Sequence, residues 1–195
     1  MKSDIILAGV GGQGILTIAT ILGSAALADG LHLKQAEVHG MSQRGGDVQS
    51  NLRISSDSIH SDLIPQGAAD LIVSLEPMEA LRYLQFLAPD GWIVTSTLPF
   101  VNIDNYPEME AIEQELAHRE NTIAFDMEAA AKEVASARSS NLVLLGAASP
   151  FIDIPAEKIE AAIADVFGRK GDTVVQTNIA AFRLGRERAL NMKNN

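Results

Sequence analysis

Ile5, Ile6, Leu7 and Ala8 form a short apolar run that stops at a glycine cluster, Gly9-Val10-Gly11-Gly12-Gln13-Gly14. A mostly apolar stretch from Ile15 to Ala28 follows, ending at Asp29-Gly30. A run that short, closed by glycine, reads as a strand buried on both faces. The stretch behind it is too long for a strand and is stopped by glycine, so it reads as a buried helix. A strand that ends in Gly-x-Gly-x-x-Gly and opens a helix constrains the fold more than any other feature, because it calls for a parallel sheet with helices on its faces. It also aims backbone N–H groups and the positive end of the helix at phosphate or carboxylate. Gly9, Gly11 and Gly14 carry the spacing, and Gly11, Gly12, Gln13 and Gly14 are candidate binding residues. Close packing of helix on strand, with no ligand, would use the same glycines. Only the Gln13 amide adds a polar group that packing alone does not require.

The rest of the chain continues the alternation. Leu31 to Val38 is a second strand candidate. From Asp47 to Ile54 the residues alternate, with Val48, Ser50, Leu52 and Ile54 on one face and Asp47, Gln49, Asn51 and Arg53 on the other; this suits an antiparallel or edge strand with one wet face. Ala69 to Leu75 is apolar, and Pro77 opens a helix at the position where its missing N–H costs nothing. Ala88-Pro89-Asp90-Gly91 reads as a turn into a strand at Trp92 to Thr95, Pro99 and Pro107 bracket a loop, and Glu108 to Arg119 has helical spacing. Thr122 to Phe125 is a short strand with Asp126 placed to cap the helix behind it. Asn141 to Ala148, a helix opened by Pro155 and a final helix from about Asp172 toward Leu190 make a helical C-terminal region. The pattern predicts one α/β domain over residues 1–195: three layers, a mostly parallel open sheet of Rossmann-like type, and an antiparallel edge strand.

Composition narrows the chemistry. Of 195 residues 47% are apolar and 21% charged, as in a globular protein, and there is no cysteine. That excludes disulfides, thiolate-held iron–sulfur clusters, cysteine zinc sites and cysteine nucleophiles on this polypeptide. Twenty-five acidic against 15 basic residues give a net charge of −10, which opposes nucleic-acid binding. No apolar run approaches a membrane span, and glycine interrupts the N-terminal apolar segment before it could serve as a signal. The expectation is a cytoplasmic chain with no membrane or nucleic-acid partner.

The connection Glu37-Val38-His39-Gly40-Met41-Ser42-Gln43-Arg44-Gly45-Gly46 is the second candidate site. Ligands in open α/β sheets sit beyond the carboxyl ends of the strands, so this loop and the first glycine loop should adjoin. Arg44, flanked by glycine, could fork onto a carboxylate or phosphate, and His39, Ser42, Gln43, Gly45 and Gly46 surround it. Internal pairing of Arg44 with Glu37 or Asp47 is the plainer alternative. In a dinucleotide-binding reading Glu37 would hold a ribose hydroxyl. Glu76 and Glu79 at a helix start are explained by capping, and Arg138-Ser139-Ser140-Asn141 reads first as an N-cap and second as a contact site. His32, His60 and His118 are scattered, so no metal site is expected.

At these loops the sequence resembles the gamma-type domain of the 2-oxoacid:ferredoxin oxidoreductases, and within that family the beta subunits of the indolepyruvate enzymes. The glycine cluster, the string EVHGMSQRGG from Glu37 to Gly46, and Ala137 to Ala147 carry the match. The resemblance implies a subunit without redox cofactors of its own. Thiamine diphosphate, Mg2+ and [4Fe-4S] clusters would sit on an alpha subunit partner, with electrons passing to ferredoxin and a 2-oxoacid and coenzyme A as substrates. No Gly-Asp-Gly followed by paired asparagines marks a thiamine site in this chain. On this reading no residue here is catalytic, the isolated chain is inactive, and the two loops shape the approach of substrate or coenzyme A near a subunit interface. A self-sufficient dinucleotide-dependent oxidoreductase and a non-catalytic binding module of the same fold are the alternatives.

Overall fold

The computed structural model describes residues 1–39, 45–101 and 103–194. Its strands are β1 (Lys2–Val10), β2 (His32–His39), β3 (Asp47–Ser55), β4 (Ala69–Ser74), β5 (Leu87–Ser96) and β6 (Thr122–Phe125). The helices are α1 (Ile15–Ala28), α2 (Pro77–Arg82), α3 (Met109–Ala117), α4 (Met127–Val134), α5 (Ser140–Ala148), α6 (Ala156–Phe167) and α7 (Asp172–Lys193). The strands form one sheet in the order β2-β3-β1-β4-β5-β6. β1, β4, β5 and β6 are mutually parallel, and β3 runs antiparallel to both of its neighbours.

Alternation along the strands sorts the core into two layers. Ile5, Leu7, Leu71, Val73, Val94 and Ile123 face α1 and the helices α4 to α7. Ile6, Ala8, Ile72 and Ile93 face α2 and α3. α5 is buried all round, which explains why its sequence has no polar stripe.

Two strands depart from the sequence-based expectation. β3 is antiparallel as expected, and β2, paired antiparallel to it, forms the edge; what differs is that β3 itself lies inside the sheet. Its polar face is wet only at one end, where Asp47 is exposed and Gln49 half-buried, while Asn51 is buried and the other end is covered. Arg53 donates to both carboxylate oxygens of buried Asp4, at 2.7 and 3.0 Å, and to the Ser61 and Leu63 carbonyls, so the loop after β3 closes over that end. β5 begins at Leu87, ahead of the expected turn, with a register shift against β4 between Ala69 and Leu71. Gly91 makes this possible, since a Cβ there would stand 2.9 Å from the Ala69 carbonyl oxygen.

Candidate functional site

β1 and β4 are neighbours, yet the connection from β1 leads to α1 on one face and that from β4 to α2 on the other. Where adjacent parallel strands send their connections to opposite faces, a crevice opens beyond their carboxyl ends. Here it encloses about 390 Å³, with Gly12, Gln13 and Gly14 on one wall, Leu98, Pro99 and Phe100 on another, and Arg138, Ser140 and Asn141 on a third.

The glycine loop is shaped by backbone geometry. Gly12 and Gly14 have φ of 103° and 84°, a region open to glycine at little cost. The Gly11 N–H donates to the Gly46 carbonyl at 2.8 Å and the Gly45 N–H to the Gly11 carbonyl at 3.3 Å. The two loops therefore adjoin, and the same bond removes the Gly11 N–H from use by a ligand. Gln13 also departs from expectation. Its Oε1 accepts from the Val10 N–H at 2.8 Å and its Nε2 donates to the Leu75 carbonyl at 3.3 Å, so the side chain braces the ends of β1 and β4 instead of reaching for a ligand. What is left is main chain: among the described residues the N–H groups of Gly12, Gly14, Ile15 and Leu16 meet no protein acceptor. They lie at the positive end of α1 and suit an anion.

Arg138 stands across the crevice, exposed and without an ion pair among the described residues. Asn141, 7% exposed, donates from Nδ2 to the Gly14 carbonyl at 3.4 Å while its Oδ1 is buried without a partner. An acceptor stranded in this way costs roughly 1–3 kcal/mol. Glu128 adds a carboxylate to the wall, offset by Lys132 at 2.7 Å. Neither Arg138 nor Ser139 caps α5 through its side chain; the segment read first as a cap is a wall of the crevice. The signal was there in the bundling of a cation, hydroxyls and an amide.

Of the second loop, Gly45 and Gly46 reach the glycine loop, and His39 ends β2 with its backbone paired to Val48. Ser42, Gln43 and Arg44 lie outside the described residues. Glu37 does not serve the dinucleotide reading. It is exposed on the edge strand, accepting from Gln35 Nε2 at 2.6 Å, and β3 intervenes between its strand and β1.

Below the crevice sits a pair of buried carboxylates. Glu76 caps α2 by accepting from the Glu79 N–H at 2.7 Å, as its position implied. Its other oxygen, Oε1, accepts from the Phe100 N–H at 3.3 Å and from the Tyr106 hydroxyl. Burial, with that carboxylate beside it, pushes the Tyr106 hydroxyl far up from its usual value. Burial likewise raises the Glu79 carboxyl, against the opposing pull of Arg82 at 2.8 Å.

The family model for pyruvate ferredoxin/flavodoxin oxidoreductases matches residues 4–188. The chain belongs to this family. Among its relatives is the indolepyruvate oxidoreductase subunit IorB of Pyrococcus horikoshii, 38% identical, with 98% of each chain covered. Among solved structures, the gamma subunit of the keto/oxoacid ferredoxin oxidoreductase of Geobacter sulfurreducens superimposes with a TM-score of 0.70 at 26% identity, covering 97% of this chain and 99% of that one. The 2-oxoglutarate:ferredoxin oxidoreductase of Magnetococcus marinus, solved with 2-oxoglutarate, coenzyme A and succinyl-CoA bound, gives a TM-score of 0.77 at 25% identity. It covers 97% of this chain but only 31% of that one. The match thus spans about a third of that longer polypeptide.

Proposed function

We propose that the chain is the small subunit of a 2-oxoacid:ferredoxin oxidoreductase, most closely an enzyme that oxidatively decarboxylates indolepyruvate or a similar aryl pyruvate to the acyl-coenzyme A in the cytoplasm. The observation that carries this reading is the likeness to IorB along the full length of both chains. The donor set supports the division of labour: with no thiol, the chain does not fit an iron–sulfur cluster, so the clusters belong to an alpha subunit that passes electrons to ferredoxin, and the resemblance assigns thiamine diphosphate and Mg2+ to the same subunit. No redox step is assigned to any residue here.

The contribution of this subunit is binding and orientation. Gly12 and Gly14, whose N–H groups meet no protein acceptor among the described residues, and Arg138 line one crevice at the N-terminus of α1. They would hold a phosphate of coenzyme A against the field of a chain of net charge −10, since oriented donors act locally where bulk charge acts diffusely. The orphaned Oδ1 of Asn141 leaves an acceptor for an N–H or O–H of the same ligand. His39, Ser42, Gln43 and Arg44 join this site on the sequence reading, through the contact of Gly45 and Gly46 with the glycine loop.

Coexpression with the thiamine-dependent large subunit tests the reading. The complex should reduce a dye or ferredoxin with indolepyruvate, phenylpyruvate or pyruvate only when coenzyme A is present. Arg138→Ala should raise the apparent KM for coenzyme A about tenfold with kcat little changed, the size expected for one charge-assisted hydrogen bond. A complex inert with all three acids, or an unaltered KM, would return the choice to a binding module of the same fold.

A further inference from the structure

Beside the crevice, residues 97–101 and 103–106 follow β5 and expose apolar side chains on an unusual scale. Leu98, Phe100, Val101 and Ile103 are each at least 40% exposed, and Val101 reaches 67%. Water disfavours such surface by roughly 25 cal/mol per Å², and an apolar patch on one segment marks an interaction site more often than scattered single residues do.

The segment is held in this pose. The Thr97 N–H donates to the Phe125 carbonyl at 3.1 Å, the Leu98 N–H to Ser96 Oγ at 3.2 Å, and the Phe100 N–H to Glu76 Oε1 at 3.3 Å, where the Tyr106 hydroxyl also donates. Glu76 itself is fully buried. One carboxylate thus fastens both stems of the loop to the cap of α2, and the apolar tips stand outward on a fixed frame. Binding then does not carry the full entropy cost of ordering the loop.

We infer that this loop is the surface on which the large subunit docks, and that the docked subunit forms the outer wall of the crevice. Two observations name the occupant. Leu98 and Phe100 belong both to the exposed patch and to the crevice, so whatever covers the patch borders the ligand. On the proposed function the thiamine diphosphate and clusters belong to the large subunit, so the reacting atoms come from the polypeptide that borders the ligand. The Magnetococcus marinus enzyme points the same way, since there the matched stretch is part of a chain about three times its length. The inference rests on the proposed function for the identity of the partner.

Val101 is not part of the crevice, and its exposure makes a polar replacement harmless to folding. In the coexpressed complex, Val101→Lys should lower retention of the tagged large subunit by at least tenfold, while the isolated variant melts at the wild-type temperature. Leu27→Lys, on a residue 63% exposed at the far end of α1, should leave assembly intact. Tyr106→Phe, which loosens the loop but keeps the α2 cap, should weaken assembly less than Val101→Lys and more than Leu27→Lys. Wild-type assembly by Val101→Lys would overturn the inference, as would a Val101→Lys variant that only dissolves a self-associated form of the small chain. Turnover is read separately: an inert wild-type complex defeats the functional reading, whereas assembly still judges the surface.

Discussion

Glu79 shows how much a single buried carboxylate can set. It is 2% exposed, and burial holds its proton above the ordinary value of 4.5 although Arg82 opposes the shift. The folded chain therefore binds this proton to higher pH than the unfolded chain does, and stability declines as pH rises from 4.5 toward the native value. Below that window both states are protonated and the contribution is fully present. Glu79→Gln should flatten the decline while keeping a partner for Arg82. Urea unfolding at steps between pH 4.5 and 7 measures it, and an unchanged slope would assign the proton uptake to another group. Capping by Glu76 was legible from the Glu-Pro-x-Glu spacing, because a cap is a local event. Its grip on Phe100 and Tyr106 was not, since those partners are 24 and 30 residues away. Gln13 failed for the same reason: its brace to Leu75 spans 62 residues.

At the level of elements, α5 and α7 meet with their backbones in contact. A Cβ on Gly146 would fall 1.9 Å from the Phe182 carbonyl oxygen, and one on Gly185 would fall 1.9 Å from that of Val143. Reciprocal glycines let the two helices close to a distance no side chain permits, which seals the layer beneath the crevice wall at Ser140 and Asn141. Gly146→Ala should cost about 3 kcal/mol through overpacking, a fall in melting temperature of roughly 6–12 °C for a chain of this size. Differential scanning calorimetry of the purified chain checks this, and a shift under 2 °C would mean the helices part easily. The helices themselves were readable from periodicity, Pro77 and the Asp126 cap, which accepts from the Ala129 N–H at 2.8 Å. The early start of β5 was not, because it rests on one long-range pair, Leu87 with Ala69, after which residues 88–91 fall out of register until Trp92 meets Leu71.

Across the whole molecule, strand order decides between rival functions that share one fingerprint. In a dinucleotide fold the acidic residue after the second strand sits next to the glycine loop. Here β3 separates β2 from β1, which puts Glu37 two strand spacings, roughly 10 Å, from the strand that ends in the glycines. Titration of the isolated chain with NADH or FAD, followed by fluorescence, should show no saturable binding up to about millimolar concentration, an affinity limit near 4 kcal/mol; micromolar binding would revive the self-sufficient oxidoreductase. No described helix is long and apolar enough to cross a membrane.

The sequence by itself determined the alternation of strands and helices, the buried α5, the meeting of two glycine-bearing loops and the absence of thiol chemistry, because each depends on residue type and short-range spacing. Tertiary structure alone decided that Gln13 braces, that Glu37 stands apart, that Arg138 and Asn141 wall the crevice, and that an apolar loop is clamped open beside it. Those outcomes depend on strand order and on contacts between distant residues, which periodicity does not encode.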